Sequence, residues 1–483
     1  VTGALSDLSA VELTGAIRRR EVSAREALDA HLVRIDAVNG SINAVVTEDR
    51  EGAAALAEAA DEVTASRADL PPLHGLPMTH KDTHNTRGLR TTQGSMVFKD
   101  FVPTFDDLII GRLKSAGVVT TGKTNVPEFA AGSHTFNEVF GTTVNPYDTT
   151  RSAGGSSGGV AASIAARIQP LGDGSDMGGS LRIPASFCNV VGYRPSIGVV
   201  PAVPTRNAWA WLGRNGLMAR DVEDIALGMT AIAGADPAVP YAYPVPGSFA
   251  APLQRDLTGV RIGWSPDFGV GVPVDREVLR VLEGQLQVFS DLGAIVEEAA
   301  PDLRDADQVF GTTRAFDFVL GLGELVRKHG DAIKPEIRWN VEQGLQLTAQ
   351  DMADAALART RLDTSVRRYF GTYDVFASPT AQVLPFDATE RYPTSVNGVE
   401  FETYLDWMRS ACLISATGLP AVSVPAGFSE DGLPVGLQLA MPHGSDVALL
   451  QVAYAFEQAT GWAKRAPSYE LKDQRFRQPV GDN

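Results

Sequence analysis

At 483 residues the chain can hold one large core or two to three ordinary ones, and its net charge of −16 leaves no basic footprint for nucleic acid or an anionic membrane. Only two cysteines occur, Cys188 and Cys412, with no C-x-x-C and no Cys/His spacing for zinc; hydrophobic residues at 44% are ordinary, while the 47 glycines are in excess and gather around a few motifs. The first residues lack the basic, apolar and small-residue succession of a signal peptide, and no run nears the ~18 apolar residues of a membrane span, so a cytoplasmic protein is expected.

Ser9-Ala10-Val11-Glu12 and Ser23-Ala24-Arg25-Glu26 fit the S-x-x-E capping box, in which serine and glutamate satisfy backbone N–H groups left open at a helix start. Two helices should follow, the second with Leu28, Leu32, Ile35 and Val38 at helical spacing, and an alanine-rich third helix is expected over about 51–63. After Pro71-Pro72 the texture changes. From His74 to Pro201 short β-branched runs, glycine turns and small-residue helices alternate, as in an α/β sheet with helical cover. A strand is expected to carry Lys81, a helix to run over 106–116 with Gly117 just past its end, a strand to cover 118–121, and a helix 158–168. Further on, strands are expected at 260–264 and 373–377 with helical stretches between 276 and 364. Next come a hairpin over 420–442 turning at Asp431-Gly432 and a last helix over 445–461. No internal repeat or low-complexity tract is visible.

Gly117 to Thr124 satisfies the phosphate-loop pattern G-x-x-x-x-G-K-[ST]. Its context disagrees: a phosphate loop needs a strand before its first glycine and a helix from its lysine, whereas here a helix precedes and Val-Val-Thr-Thr is itself strand-like. A cap followed by a strand is the expected structure, with nucleotide binding as the remote alternative.

Two glycine clusters with serines carry the chemistry: Gly154 to Gly159, which contains Ser156 and Ser157, and Asp173 to Ala185, which contains Ser180. Glycine there permits close backbone approach beside a helix start, and consecutive amides before a serine can converge as donors on an oxyanion. Serine needs a base. Histidine is the usual one, but His74, His80, His84 and His134 have no G-x-S-x-G elbow beside them and read as satisfied core or loop side chains. Lys81 is the other candidate. Alternation along its strand sends Asp82 to the opposite face, so an interior Lys81 would be kept neutral by burial and able to accept a proton.

At these residues the chain resembles the amidase signature family: the Lys81 segment, Gly122 to Phe129, Phe140-Gly141, Asn145-Pro146, the double-serine cluster, Asp176 to Pro184, and Pro420 to Leu439. The likeness runs from the first helix to about Gly461, and the intervals between Lys81, Ser156 and Ser180 fit as well. It implies Ser180 as nucleophile, Ser156 in a cis peptide as proton bridge and Lys81 as base. Met177, Gly178, Gly179 and Ser180 would supply the oxyanion hole, Ser157, Asp176 and Arg182 the supporting shell, and Ala130, Ala131, Gly132 and Ser156 the substrate contacts. No metal or organic cofactor is implied.

The implied fold is a single α/β domain, a mixed twisted sheet with helices on both faces. Residues 1–70 would form a helical opening, 74–204 the signature core, 205–410 the pocket walls and lids, and 411–483 a closing hairpin and helix. Trp209, Trp211, Phe316, Phe318, Trp339, Tyr404 and Trp407 are candidates for an apolar acyl or aryl pocket, with plain core packing as the alternative. The implied activity is hydrolysis of aryl or alkyl amides through an acyl-enzyme, with carbamates or esters as alternative substrates of the same triad. Departures from the family pattern at Ser175, Leu181, Asn189 and Tyr193-Arg194, and the Ser133 to Asn137 run, favour a general amidase over the glutamine-using amidotransferase subunit. The expected partner is a small-molecule amide, with no nucleic acid or membrane, and a homodimer is left open.

Overall fold

A computed structural model describes residues 5–67, 69–243 and 248–468. The expected opening and closing parts therefore reach, at 1–4 and 469–483, outside the described residues. Both capping boxes form: Ser9 and Glu12 open the helix Ala10–Arg18, and Ser23 and Glu26 open Ala24–Ile42. The third helix runs Arg50–Ser66, with the Asp49 side chain accepting the Gly52 N–H at its start. No helix among the described residues is long and apolar enough to cross a membrane.

Two sheets position the chemistry. The smaller has three strands, with Val119–Thr124 in the middle, Val45–Glu48 antiparallel on one side and Pro77–Lys81 parallel on the other. The phosphate-loop pattern ends here. Gly117, at φ +93°, follows the helix Leu108–Ser115, and Gly122 and Lys123 lie inside the central strand. A side chain at Gly122 would meet the Thr47 carbonyl oxygen at 2.1 Å, so glycine is needed for strand packing.

The larger sheet has eight strands in the order Ile295–Glu298, Arg261–Trp264, Val375–Pro379, Pro434–Ala440, Ala421–Phe428, Val191–Arg194, Arg214–Ala219, Leu171–Asp176. The first three run parallel and every later pairing is antiparallel, which makes the sheet mixed. Neighbouring residues show its two covered faces. A side chain on Gly192 would strike Leu181 O at 2.2 Å and Ala185, beside the helix Arg182–Phe187, whereas the next residue, Tyr193, reaches the opposite face to donate to Asp446 of the last helix, Asp446–Thr460, at 2.5 Å.

Residues 205–410 supply four of the eight strands as well as cavity wall, a larger structural share than walls and lids alone. One of these strands, Ile295–Glu298, falls inside the stretch expected to be helical. It is a four-residue edge strand entered through Gly293 at φ +88°, too short for alternation to announce it. The hairpin forms as expected, with Gly432 at φ +79° in its turn.

Candidate active site

Lys81 is the last residue of a strand whose five residues are all buried, and it has no exposed surface itself. Its Nζ lies 2.9 Å from Ser156 Oγ, 2.9 Å from Ser157 Oγ and 3.0 Å from Ser175 Oγ. Burial disfavours the ammonium form and pulls its pKa down to about 7, against the opposing pull of the Asp176 and Asp173 charges. Asp82 turns away, as alternation requires: its Oδ2 accepts from Thr92 Oγ1 at 2.5 Å, and burial raises its pKa against the opposing charge of Lys123. Lys123 Nζ is itself fully buried, donating to His84 O and Thr86 Oγ1 at 2.5 and 3.0 Å rather than facing an open loop.

Ser156 and Ser157 stand in the turn before the helix Gly158–Ala165, and the Gly155–Ser156 peptide is cis. Ser180 lies in the turn between the strand Leu171–Asp176 and the helix Arg182–Phe187, 8% exposed. The two turns are joined where Ser157 N–H donates to Ser180 O at 3.2 Å, and Ser156 and Ser180 border one cavity.

Asp176 fixes the second turn. Its Oδ1 accepts from Gly179 N–H and Arg182 Nη2, both at 2.9 Å, and its Oδ2 from Arg182 Nε at 2.9 Å and Leu181 N–H at 3.2 Å. Arg194 Nη1 adds a contact at 3.4 Å. Burial alone would raise this carboxyl's pKa, but the Arg182 and Arg194 guanidinium charges outweigh it and hold the group ionised, well below the usual range. Arg182 also donates to Gln438 Oε1 at 2.6 Å and Ser415 Oγ at 2.7 Å, tying the turn to the sheet and to the helix Arg409–Thr417. Of the four amides expected around the oxyanion, Gly179's is thus taken by Asp176.

The histidines bond elsewhere, although the buried Nε2 of His84 has no partner. His80 and His84 place Nδ1 2.6 Å from the two oxygens of Asp173, His74 Nε2 meets Thr64 Oγ1 at 2.9 Å, and His134 receives Ser152 O–H at 2.7 Å. None of these bonds involves Ser156 or Ser180. Among the described residues no cluster of three His, Cys, Asp or Glu side chains could hold a metal ion.

The cavity over the serines measures about 430 Å³, and its floor is Ser156, Ser175, Asp176, Met177 and Ser180. Ala130 borders it, whereas Ala131 is buried against Phe318 and Ile333, and Gly132 faces a separate small recess. Of the seven candidate aromatics only Phe318 lines this cavity, joined by Phe129 and Tyr241. Trp407 is core, Tyr404 is buried between Arg314 and Asn340, and Trp339 packs edge-on against Tyr404. Trp211 lies under Arg359, while Trp209 is 67% and Phe316 38% exposed. Large rings are buried where packing allows, which takes Tyr404 and Trp407 away from the cavity and leaves Trp209 and Phe316 at the surface.

Sequence reasoning missed Asp173, Ser175, Arg194 and Arg314. Strand alternation was the available signal for two of them: Asp173 and Ser175, two residues apart, both face Lys81, with Lys81 N–H donating to Asp173 Oδ2 at 3.2 Å. Arg314, on the helix Ala306–His329, reaches Met177 Sδ at 3.2 Å and Tyr404 OH at 2.8 Å from a distant part of the chain, with no local pattern to announce it.

A large mixed sheet, a buried lysine and two facing serine turns define a class, and the comparisons agree with it. The chain belongs to the Amidase family, whose sequence model matches residues 26–450. It is 36% identical to an acylamidase of Rhodococcus erythropolis over 96% of this chain and 98% of that one. It is also 36% identical to a glutamyl-tRNA(Gln) amidotransferase subunit from Moorella thermoacetica over 95% of this chain and 98% of that one. Among solved structures, a bacterial aryl acylamidase of the amidase signature family superposes with a TM-score of 0.88 at 27% identity, covering 95% of this chain and 97% of that one.

Proposed function

We propose that this enzyme hydrolyses carboxylic amides by a Ser180–Ser156–Lys81 relay. The observation that carries the reading is a lysine with no solvent contact whose Nζ sits 2.9 Å from Ser156 Oγ. A neutral amine has two N–H donors and one lone pair. The donors suit Ser157 and Ser175, and the lone pair is then aimed at the Ser156 hydroxyl proton.

Lys81 takes the Ser156 proton as Ser156 takes that of Ser180, and Ser180 Oγ bonds to the amide carbonyl carbon. The carbonyl oxygen becomes an oxyanion, received by the N–H groups of Met177, Gly178 and Ser180, with Gly179 held back by Asp176. The relay then runs in reverse: the Lys81 ammonium returns its proton through Ser156 to the nitrogen, the C–N bond breaks, and the amine leaves. Water attacks the acyl ester through the same chain, giving the carboxylic acid and free Ser180. Ala130, at the cavity edge, contacts the bound amide.

The apolar walls suit aryl and alkyl amides, and the same attack reaches carbamate and ester carbonyls. We place the enzyme in the cytoplasm, where two free buried cysteines would stay reduced. The test is covalent labelling. A fluorophosphonate should label the protein stoichiometrically and Ser180→Ala not at all; full labelling of the variant would refute the assignment.

The equal likeness to an amidotransferase subunit keeps one second reading, ammonia release from glutamine for a partner protein. Glutamine turnover that requires an added partner polypeptide, with none on anilides, would favour it.

A further inference from the structure

Arg214 opens the strand Arg214–Ala219, directly across from Asp176, and borders the cavity over the serines. It is only 5% exposed. Its Nη1 donates to the neighbouring Gly213 carbonyl at 3.0 Å, but its Nε and Nη2 are shielded from solvent and have no acceptor. Asp176 opposite offers none, because both its oxygens already accept from Arg182 and from backbone amides. A buried guanidinium without a counter-charge is costly, and burial depresses its pKa to about 10. An acceptor can reach those two nitrogens from the cavity Arg214 borders once the side chain turns them inward.

The chemistry of that acceptor follows from the two idle nitrogens. Nε and Nη2 form one edge of the guanidinium, and on Arg182 the same edge holds both oxygens of Asp176 at 2.9 Å. Such a fork matches a carboxylate, whose two oxygens take two parallel charge-assisted bonds. Asp317 also lines the cavity, its carboxyl raised to about 6 by burial; its charge opposes any anion there, so a carboxylate seated on Arg214 is compensated whereas a second negative charge on the same ligand is not.

We propose that Arg214 is a specificity-determining residue that receives, through Nε and Nη2, a single carboxylate carried by the amide substrate away from its scissile carbonyl. The proposal rests on the amide-hydrolase reading above and narrows its substrate class to amides of monoanionic character.

The test compares two series of p-nitroanilides, the mono-anilides of succinic, glutaric and adipic acid against neutral alkanoyl anilides of matched length. In the native enzyme kcat/KM for the best carboxylate-bearing anilide should exceed its neutral match by on the order of tenfold or more. In Arg214→Gln that ratio should fall to about one, with Arg214→Lys in between, as expected when a fork is replaced by a point charge. Fluorophosphonate labelling of each variant reports that the serine site is folded. A ratio of one in the native enzyme, or a loss in Arg214→Gln shared equally by both series, overturns the proposal while turnover that depends on Ser180 leaves the relay standing. Turnover that survives Ser180→Ala would instead remove the reading of the site itself.

Discussion

Asp176 and Arg182 face each other through two bonds of 2.9 Å with no exposed surface on either side chain, six residues apart across the turn that holds Ser180. The pair shapes the nucleophile's turn and removes the Gly179 amide from the oxyanion donors. Arg182→Ala would leave a buried carboxylate held by the Gly179 and Leu181 amides, with only the longer Arg194 contact to balance its charge. Loss of roughly 3–5 kcal/mol of stability is expected, read as a large fall in the thermal midpoint. An unchanged midpoint would show that the pair contributes little.

Ser156→Ala should leave substrate binding largely intact and lower kcat by about 10²–10⁴, since the proton path is cut while the cavity keeps its shape. Ser175→Ala removes one of several partners of Lys81 Nζ and should cost far less, on the order of tenfold. Steady-state kinetics on one anilide separates the two; equal losses would mean that Ser156 only positions Lys81.

Acid should unfold the protein through its depressed carboxyls. Asp173 and Asp176 are both held below the ordinary range, so the unfolded chain binds more protons than the folded one as pH drops toward their folded values. Their stabilisation is fully present above about pH 4 and is lost below it. Thermal midpoints measured from pH 7 to 3 should fall steeply at the acid end, with a shallower slope in Asp173→Asn. A parallel slope in that variant would assign the acid limb to other groups.

Much of the site was legible because local chemistry sets it. The strand to Lys81, the outward turn of Asp82, the capped opening helices and the two serine turns all follow from alternation, caps and glycine. What stayed hidden depends on contacts across the chain. The strand Arg214–Ala219 begins with Arg-Asn-Gly, which reads as a turn, and a side chain at Gly216 would meet Tyr193 O at 2.3 Å of the adjacent strand. Asp173 lies between glycines and looks like loop, yet two histidines from another strand and its following turn bury it. The choice between pocket and core for the aromatics stayed open for a similar reason, since only tertiary packing tells Phe318 on the cavity wall from Trp407 in the core.

The most direct measurement is the pH dependence of kcat/KM for one anilide in the native enzyme and in Lys81→Ala. Lysine protonation blocks the relay, so the native profile should rise with pH through a midpoint near the value of about 7 that burial imposes on Lys81. In Lys81→Ala the residual activity should lose that rising limb. A native midpoint near 10, or the same limb persisting without Lys81, would contradict the claim that a neutral buried lysine draws the proton.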